Sequence, residues 1–258
     1  MRLRRIIAVL ALASLLAGCG KKGPLLYPDL LVPAPVSALA AVQSGASIRI
    51  TFQLPDKDLA GRTLRDLAGV RVYRHVIPSA SSAIQACGAC REEFQLVRTV
   101  YLASGNDAQL VGRTLVLLEP EVLAGSHYRY YVTPFTGDGS AGALSDVAGV
   151  QLSDPLPAPG LGGAADPSEV VLIFSPPPAA AGGTMAGYNL YRAPRGADLP
   201  HLPLNRQPLQ GTVYRDNTLE RDTDYRYVLR SVLRRPDGTL QESLPSSTLL
   251  LRLKNDYD

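Results

Sequence analysis

Ala68-Gly69-Val70-Arg71-Val72-Tyr73-Arg74 and Ala186-Gly187-Tyr188-Asn189-Leu190-Tyr191-Arg192 are two versions of one segment, and the stretches around them repeat in the same order. Upstream, Pro33-Ala34-Pro35 recurs as Pro157-Ala158-Pro159. Ile48-Arg49-Ile50-Thr51-Phe52-Gln53-Leu54-Pro55 likewise recurs as Val170-Val171-Leu172-Ile173-Phe174-Ser175-Pro176-Pro177. Downstream, Tyr128-Arg129-Tyr130 returns as Tyr225-Arg226-Tyr227. Anchors that recur in one order mark an internal duplication. Ile48, Ile50 and Phe52 alternate with Arg49 and Thr51, the period of a half-buried strand. Val70 with Val72, Tyr128 with Tyr130, Tyr188 with Leu190 and Tyr225 with Tyr227 follow the same rule. Gly137-Asp138-Gly139 and Pro236-Asp237-Gly238 provide a turn before a last apolar segment in each copy. With 23 glycines and 21 prolines the chain is interrupted too often for long helices. The expected fold is all-β, two tandem sandwiches that each bury alternate side chains between two sheets. Gly160-Leu161-Gly162-Gly163, after the second proline cluster, reads as loop.

The copies differ in length. Tyr73 to Tyr128 spans 55 residues and Tyr191 to Tyr225 spans 34, so the first copy carries 21 more, Cys87 and Cys90 among them.

These anchors resemble fibronectin type III modules: a proline-led first strand, an aromatic closely followed by proline, a third strand ending in Tyr-Arg, and a Leu-x5-Tyr-x-Tyr corner. Leu219 and Tyr225 fit that corner, and Val122 with Tyr128 fits it with valine for leucine. The resemblance implies corner tyrosines with buried rings whose hydroxyls bond to upstream backbone. It covers about residues 33–153 and 155–253. The chain has no tryptophan, and Phe52 and Phe174 stand where the family has its core tryptophan. That departure leaves other immunoglobulin-like sandwiches as the alternative.

The amino terminus points to a membrane. Arg2, Arg4 and Arg5 precede an apolar run from Ile6 to Ala17 broken only by Ser14, which has the form of a secretory signal and is short for a permanent span. Leu16-Ala17-Gly18-Cys19 resembles the bacterial lipobox. The resemblance implies a diacylglyceryl group on Cys19, cleavage before it and acylation of the new terminus, an anchor stronger than a single acyl chain. Cys19-Gly20-Lys21-Lys22-Gly23-Pro24-Leu25-Leu26-Tyr27-Pro28 resembles the amino terminus of small lipoproteins that assist maturation of the lipopolysaccharide translocon. A plain flexible tether is the competing reading of those residues. Glycine at position 20, by resemblance to sorted lipoproteins, implies the outer membrane, with the protein facing the periplasm or the cell surface. The expected organisation is signal peptide 1–18, lipidated tether 19–32, first module 33–153 with its cysteine-bearing insertion, and second module 154–258.

Charge excludes one partner class. The 26 basic residues fall to 23 once the three signal arginines go, equal to the 23 acidic ones. No basic field is left to recruit nucleic acid.

Chemistry-bearing residues are few. If Cys19 is acylated, Cys87-Gly88-Ala89-Cys90 is an even pair in an oxidising compartment, and a structural disulfide is expected. A redox pair and a zinc site compete with it. The first lacks a thioredoxin-like surrounding despite Arg91, and the second lacks ligands beyond His75. His75, His127 and His201 share no spacing, and His127 is expected to face solvent. No nucleophile elbow or phosphate loop occurs. Neither an enzymatic activity, a cofactor nor a metal is expected. The tyrosines could form a carbohydrate platform, but alternate ones must face the cores. The expected function is an outer-membrane-anchored protein-interaction or scaffold module of the cell envelope with an envelope protein as partner. The alternative is an envelope assembly factor, acting in translocon maturation or thiol–disulfide exchange.

Overall fold

A computed structural model describes residues 27–78, 93–104, 108–120, 122–178 and 182–253. The signal segment, Cys19, Cys87 and Cys90 lie outside the described residues. Among those described, the helical content is one 3-10 turn, Pro28–Leu30.

The first copy supplies β1 (Ser37–Ser44), β2 (Ser47–Gln53), β3 (Leu67–Ile77), β4 (Gln95–Tyr101), β5 (Ala108–Val111), β6 (Thr114–Glu119), β7 (His127–Thr136) and β8 (Ala148–Gln151). They form two layers, β1-β2-β6-β5 and β4-β3-β7-β8. The alternation read in the sequence sets the packing. Ile48, Ile50 and Phe52 of β2 and Leu115 and Leu117 of β6 meet Val70 and Val72 of β3 and Tyr128, Tyr130 and Val132 of β7. Each such side chain taken from water contributes on the order of 1.5–3 kcal/mol.

The second copy supplies β9 (Gly160–Ala165), β10 (Val170–Ser175), β11 (Thr184–Pro194), β12 (Val213–Asp216), β13 (Tyr225–Arg234), β14 (Leu240–Glu242) and β15 (Leu249–Leu251). One layer is β12-β10-β9; in the other, β13 pairs with β11 on one side and with β14 and β15 on the other. Val170, Leu172 and Phe174 pack on Tyr188, Leu190, Tyr225, Tyr227 and Leu229. The molecule is thus all-β, two tandem immunoglobulin-like sandwiches with one core each.

The repeated Ala-Gly has a structural cause. Pairing of β3 with β7 slips between Leu67 and Gly69, and pairing of β11 with β13 slips between Met185 and Gly187. Each slip is a bulge that seats the glycine against a neighbouring chain. A Cβ at Gly69 would lie 2.1 Å from the Val100 carbonyl oxygen, and one at Gly187 2.4 Å from that of Leu209.

Both tyrosine corners are present. Tyr128 and Tyr225 are buried, and their hydroxyls accept from the N–H of Leu123 (2.8 Å) and Glu220 (3.2 Å).

Two local expectations are corrected. Gly160–Gly163 is strand, because β9 pairs with β10 from Gly160–Ser175 to Ala165–Val170. Backbone hydrogen bonds make that strand, and glycine shows no side-chain alternation by which to read it. His127 is half-buried rather than facing solvent, its ring lying across Gly149 of β8.

Candidate functional site

The duplication extends to an ion pair inside each sandwich, half-buried in the first and built on a wholly buried carboxylate in the second. Arg74 of β3 points inward and pairs with Glu119 of β6, which also accepts from the Tyr130 hydroxyl. Arg192 of β11 pairs with Asp216 of β12 at 2.6 Å, and Asp216 accepts from Tyr227 at 2.9 Å. The guanidinium also lies over the corner ring in each copy, 6.0 Å from the centroid of Tyr128 and 5.1 Å from that of Tyr225. Burial alone would raise the Asp216 carboxyl, but bonds from Arg192, Thr218 and Tyr227 outweigh it and hold it below its ordinary value. Tyr130 and Tyr227 are both pushed up, first by burial and then by the acid beside them. These triads cross-link the two layers of each sandwich. Neither acid figured in the sequence reading, although a recurrent signal exists: each stands nine positions before its corner tyrosine.

A second polar cluster lies between the sandwiches. Ser44 of β1 stands opposite Glu242 of β14 in parallel pairing, so the layer β1-β2-β6-β5 continues into β14, β13 and β11. Glu242 is almost fully buried. Arg49 of β2, on the face away from its own core, reaches both carboxylate oxygens at 3.0 Å. Ser44 donates to the carboxylate at 2.5 Å and Tyr191 at 2.8 Å; Asn189 donates as well, and Tyr191 in turn accepts from Arg49 at 2.8 Å. Burial would raise the Glu242 carboxyl, but the Arg49 charge and these hydrogen bonds hold it below its usual value. Tyr191 is pushed up, chiefly by burial and then by the Glu242 charge.

Further contacts clamp the joining segment. Gln43 donates to the Ser153 carbonyl at 2.8 Å and accepts from the Ser153 N–H at 3.1 Å, and the Leu244 N–H donates to the Leu156 carbonyl. The β11–β12 connection crosses back to the first sandwich, where the His201 N–H donates to Gln109 of β5 at 2.6 Å.

The outer face of β4-β3-β7-β8 carries a row of rings, of which Phe94, Tyr131 and Phe135 are themselves buried. Tyr73 stacks on Tyr131 at 4.6 Å, Phe94 tilts against Tyr131 at 4.9 Å, and the Arg129 guanidinium lies 5.6 Å from the Phe94 centroid. Farther along, Arg71 lies over Phe135 at 4.5 Å and Tyr101 meets Phe135 edge-on. Strand β4 is the edge of this sheet and exposes Leu96, Val97 and Tyr101. The tyrosines therefore divide: Tyr128, Tyr130, Tyr188, Tyr225 and Tyr227 are core, while Tyr73 and Tyr191 lie outside it.

The residues singled out in the sequence do not converge. His75 Nδ1 faces Glu93 at 3.4 Å, His127 covers Gly149, and His201 lies at the junction of the sandwiches. Among the described residues no group of three or more His, Cys, Asp or Glu side chains could hold a metal ion, and no helix is long and apolar enough to cross a membrane.

No family model matches the chain, and no curated protein does. Among solved structures, the FN1–FN3 domains of chicken CNTN1 align with 13% identity over 87% of this chain and 68% of that one, at a TM-score of 0.33. A structure described as a myokine aligns with 14% identity over 39% of this chain and 99% of that one, at a TM-score of 0.30.

Proposed function

We propose that this chain is a lipid-anchored protein of the cell envelope that presents two fixed sandwiches as a protein-interaction module. The observation that carries the interaction is β4. It is an edge strand whose outer side has no strand partner among the described residues, and it exposes Leu96, Val97 and Tyr101 beside the ring-paved face. Free edges are ordinarily blunted by charge or proline; β4 carries one charge, Arg98, among Leu96, Val97, Val100 and Tyr101, and so largely apolar an edge fits a partner that adds a strand while its side chains rest on the adjoining face. The anchor rests on the signal segment and on Leu16-Ala17-Gly18-Cys19. The outer membrane is proposed from Gly20.

A photo-crosslinking residue at Leu96 tests the surface, with one at exposed Ile173 of the second sandwich as control. The Leu96 probe should give one discrete adduct in envelope preparations, and Val97→Lys should remove it. No adduct at Leu96, or the same adduct from Ile173, would refute the β4 surface. Cys19→Ala should block processing of the signal. A variant still found with outer membranes at the mature mass would refute the anchor.

A further inference from the structure

We propose that the cleft between the sandwiches is a binding site for a carboxylate joined to a small apolar body, with Arg230 taking the carboxylate. The cleft has a volume of about 270 Å3 and is formed by both copies, Ser44 and Leu118 from the first and Leu199, Val228, Arg230 and Thr248 among those from the second. It lies beside the Arg49–Glu242 pair, and the charge count there is uneven. Two guanidiniums, Arg49 and Arg230, share the neighbourhood with one carboxylate. Arg49 holds both oxygens of that carboxylate, and Ser44, Asn189 and Tyr191 fill its remaining acceptor positions.

Arg230 is left with a single bond, Nη1 to the Ser243 carbonyl at 2.6 Å. Among the described residues no carboxylate lies within ion-pair distance of it. Its other N–H groups have no protein partner there, and they are not sealed from the cleft. Burial pulls this guanidinium below its usual basicity, and the nearby Glu242 charge does not make up the loss. The guanidinium is partly withdrawn from water and keeps unpaired N–H donors open to the cleft, so an anion entering there would meet a cation without an ion-pair partner of its own. A planar guanidinium meets a carboxylate through two parallel hydrogen bonds, which makes that anion its natural complement.

The rest of the wall fits the remainder of such a ligand. Leu118, Leu199, Val228 and Pro245 offer apolar surface, and exposed Thr248 adds a hydroxyl. His201, also on the wall, has a buried Nδ1 without a partner there. The carboxylate has two possible sources, a free small acid and the last residue of a partner chain. This site is remote in role from β4, and its failure would leave the β4 reading standing.

The test uses the full chain in lipid nanodiscs, with empty nanodiscs as blank, and equilibrium dialysis of N-acetylphenylalanine against its amide. The acid should bind and the amide should not. Arg230→Met should weaken the acid by at least about tenfold, the scale of a lost charge-assisted hydrogen bond. Arg230→Met also removes the bond to the Ser243 carbonyl, so its β-type circular dichroism spectrum is compared with wild type before binding is read. Butyrate and a peptide ending in free phenylalanine separate the sources: butyrate binding points to a free acid, and binding by the peptide alone points to a chain terminus. Equal binding of acid and amide, acid binding that survives Arg230→Met, or no binding of any carboxylate probe would each overturn the proposal.

Discussion

Tyr73-Arg74 and Tyr191-Arg192 hold the same place in the two copies, and their second residues behave alike while their first do not. Both arginines point inward and pair with an acid and a tyrosine of their own sandwich. Tyr73 lies on an outer sheet face stacked on Tyr131, whereas Tyr191 is sealed between the sandwiches on Arg49 and Glu242. The inward positions of a strand answer to one core and stay fixed through duplication. The outward positions answer to whatever lies outside, and there the copies have parted: one face became a ring-paved surface with a free edge, the other a joint.

Breaking the joint should cost most. Glu242→Leu strands Arg49 in a dry site and should destabilise the protein by roughly 3–5 kcal/mol, read from urea unfolding. Adding Arg49→Met should recover most of that loss, because the pair as a whole contributes much less than either member left alone. Within the sandwiches, Asp216→Ala should cost more than Glu119→Ala. The Asp216 side chain is wholly buried, while the Glu119–Arg74 pair is 13% and 27% exposed. About 3 kcal/mol is expected for the first and about 1–2 kcal/mol for the second.

The difference between the two tyrosines sharpens the comparison further. Tyr191→Phe removes a hydroxyl that serves Arg49 and Glu242 together and should cost about 1–3 kcal/mol, whereas Tyr73→Phe should be close to neutral. Acid should expose the same asymmetry. Glu242 and Asp216 are held below their ordinary values of 4.5 and 3.8, so folding keeps them ionised where the unfolded chain would take up protons. Their contribution is complete above those values and is lost as pH falls through the lower folded-state values. Glu242→Gln should flatten that decline in urea midpoints, and Tyr73→Phe should leave it unchanged. The corner hydroxyls give the smallest effect: Tyr128→Phe and Tyr225→Phe should each cost about 0.5–1.5 kcal/mol by leaving one backbone N–H without its acceptor.

What was legible in the sequence follows the same division. Ile48, Val70, Tyr128 and their counterparts could be placed because a strand's inward residues obey a period of two and the duplication states that period twice. The paired glycines were visible only as a repeat, and the bulge they serve shows in the strand pairing alone. Strand β9 was missed because Gly162 and Gly163 have no side chains with which to show a period. Glu119 and Asp216 carried a weak signal in their shared distance from the corner tyrosine. Glu242 carried none: its partners Arg49, Ser44 and Tyr191 come from both copies, and only the packing of one sandwich on the other brings them together.

The central claim is that this buried cluster fixes the two sandwiches to each other. Spin labels carried by non-natural side chains at exposed Leu110 of β5 and Val213 of β12 would report their separation through electron–electron dipolar coupling. One narrow distance distribution is expected for the unaltered chain, broadening in Glu242→Leu. A broad distribution in the unaltered chain, or a narrow one that Glu242→Leu leaves untouched, would contradict the claim.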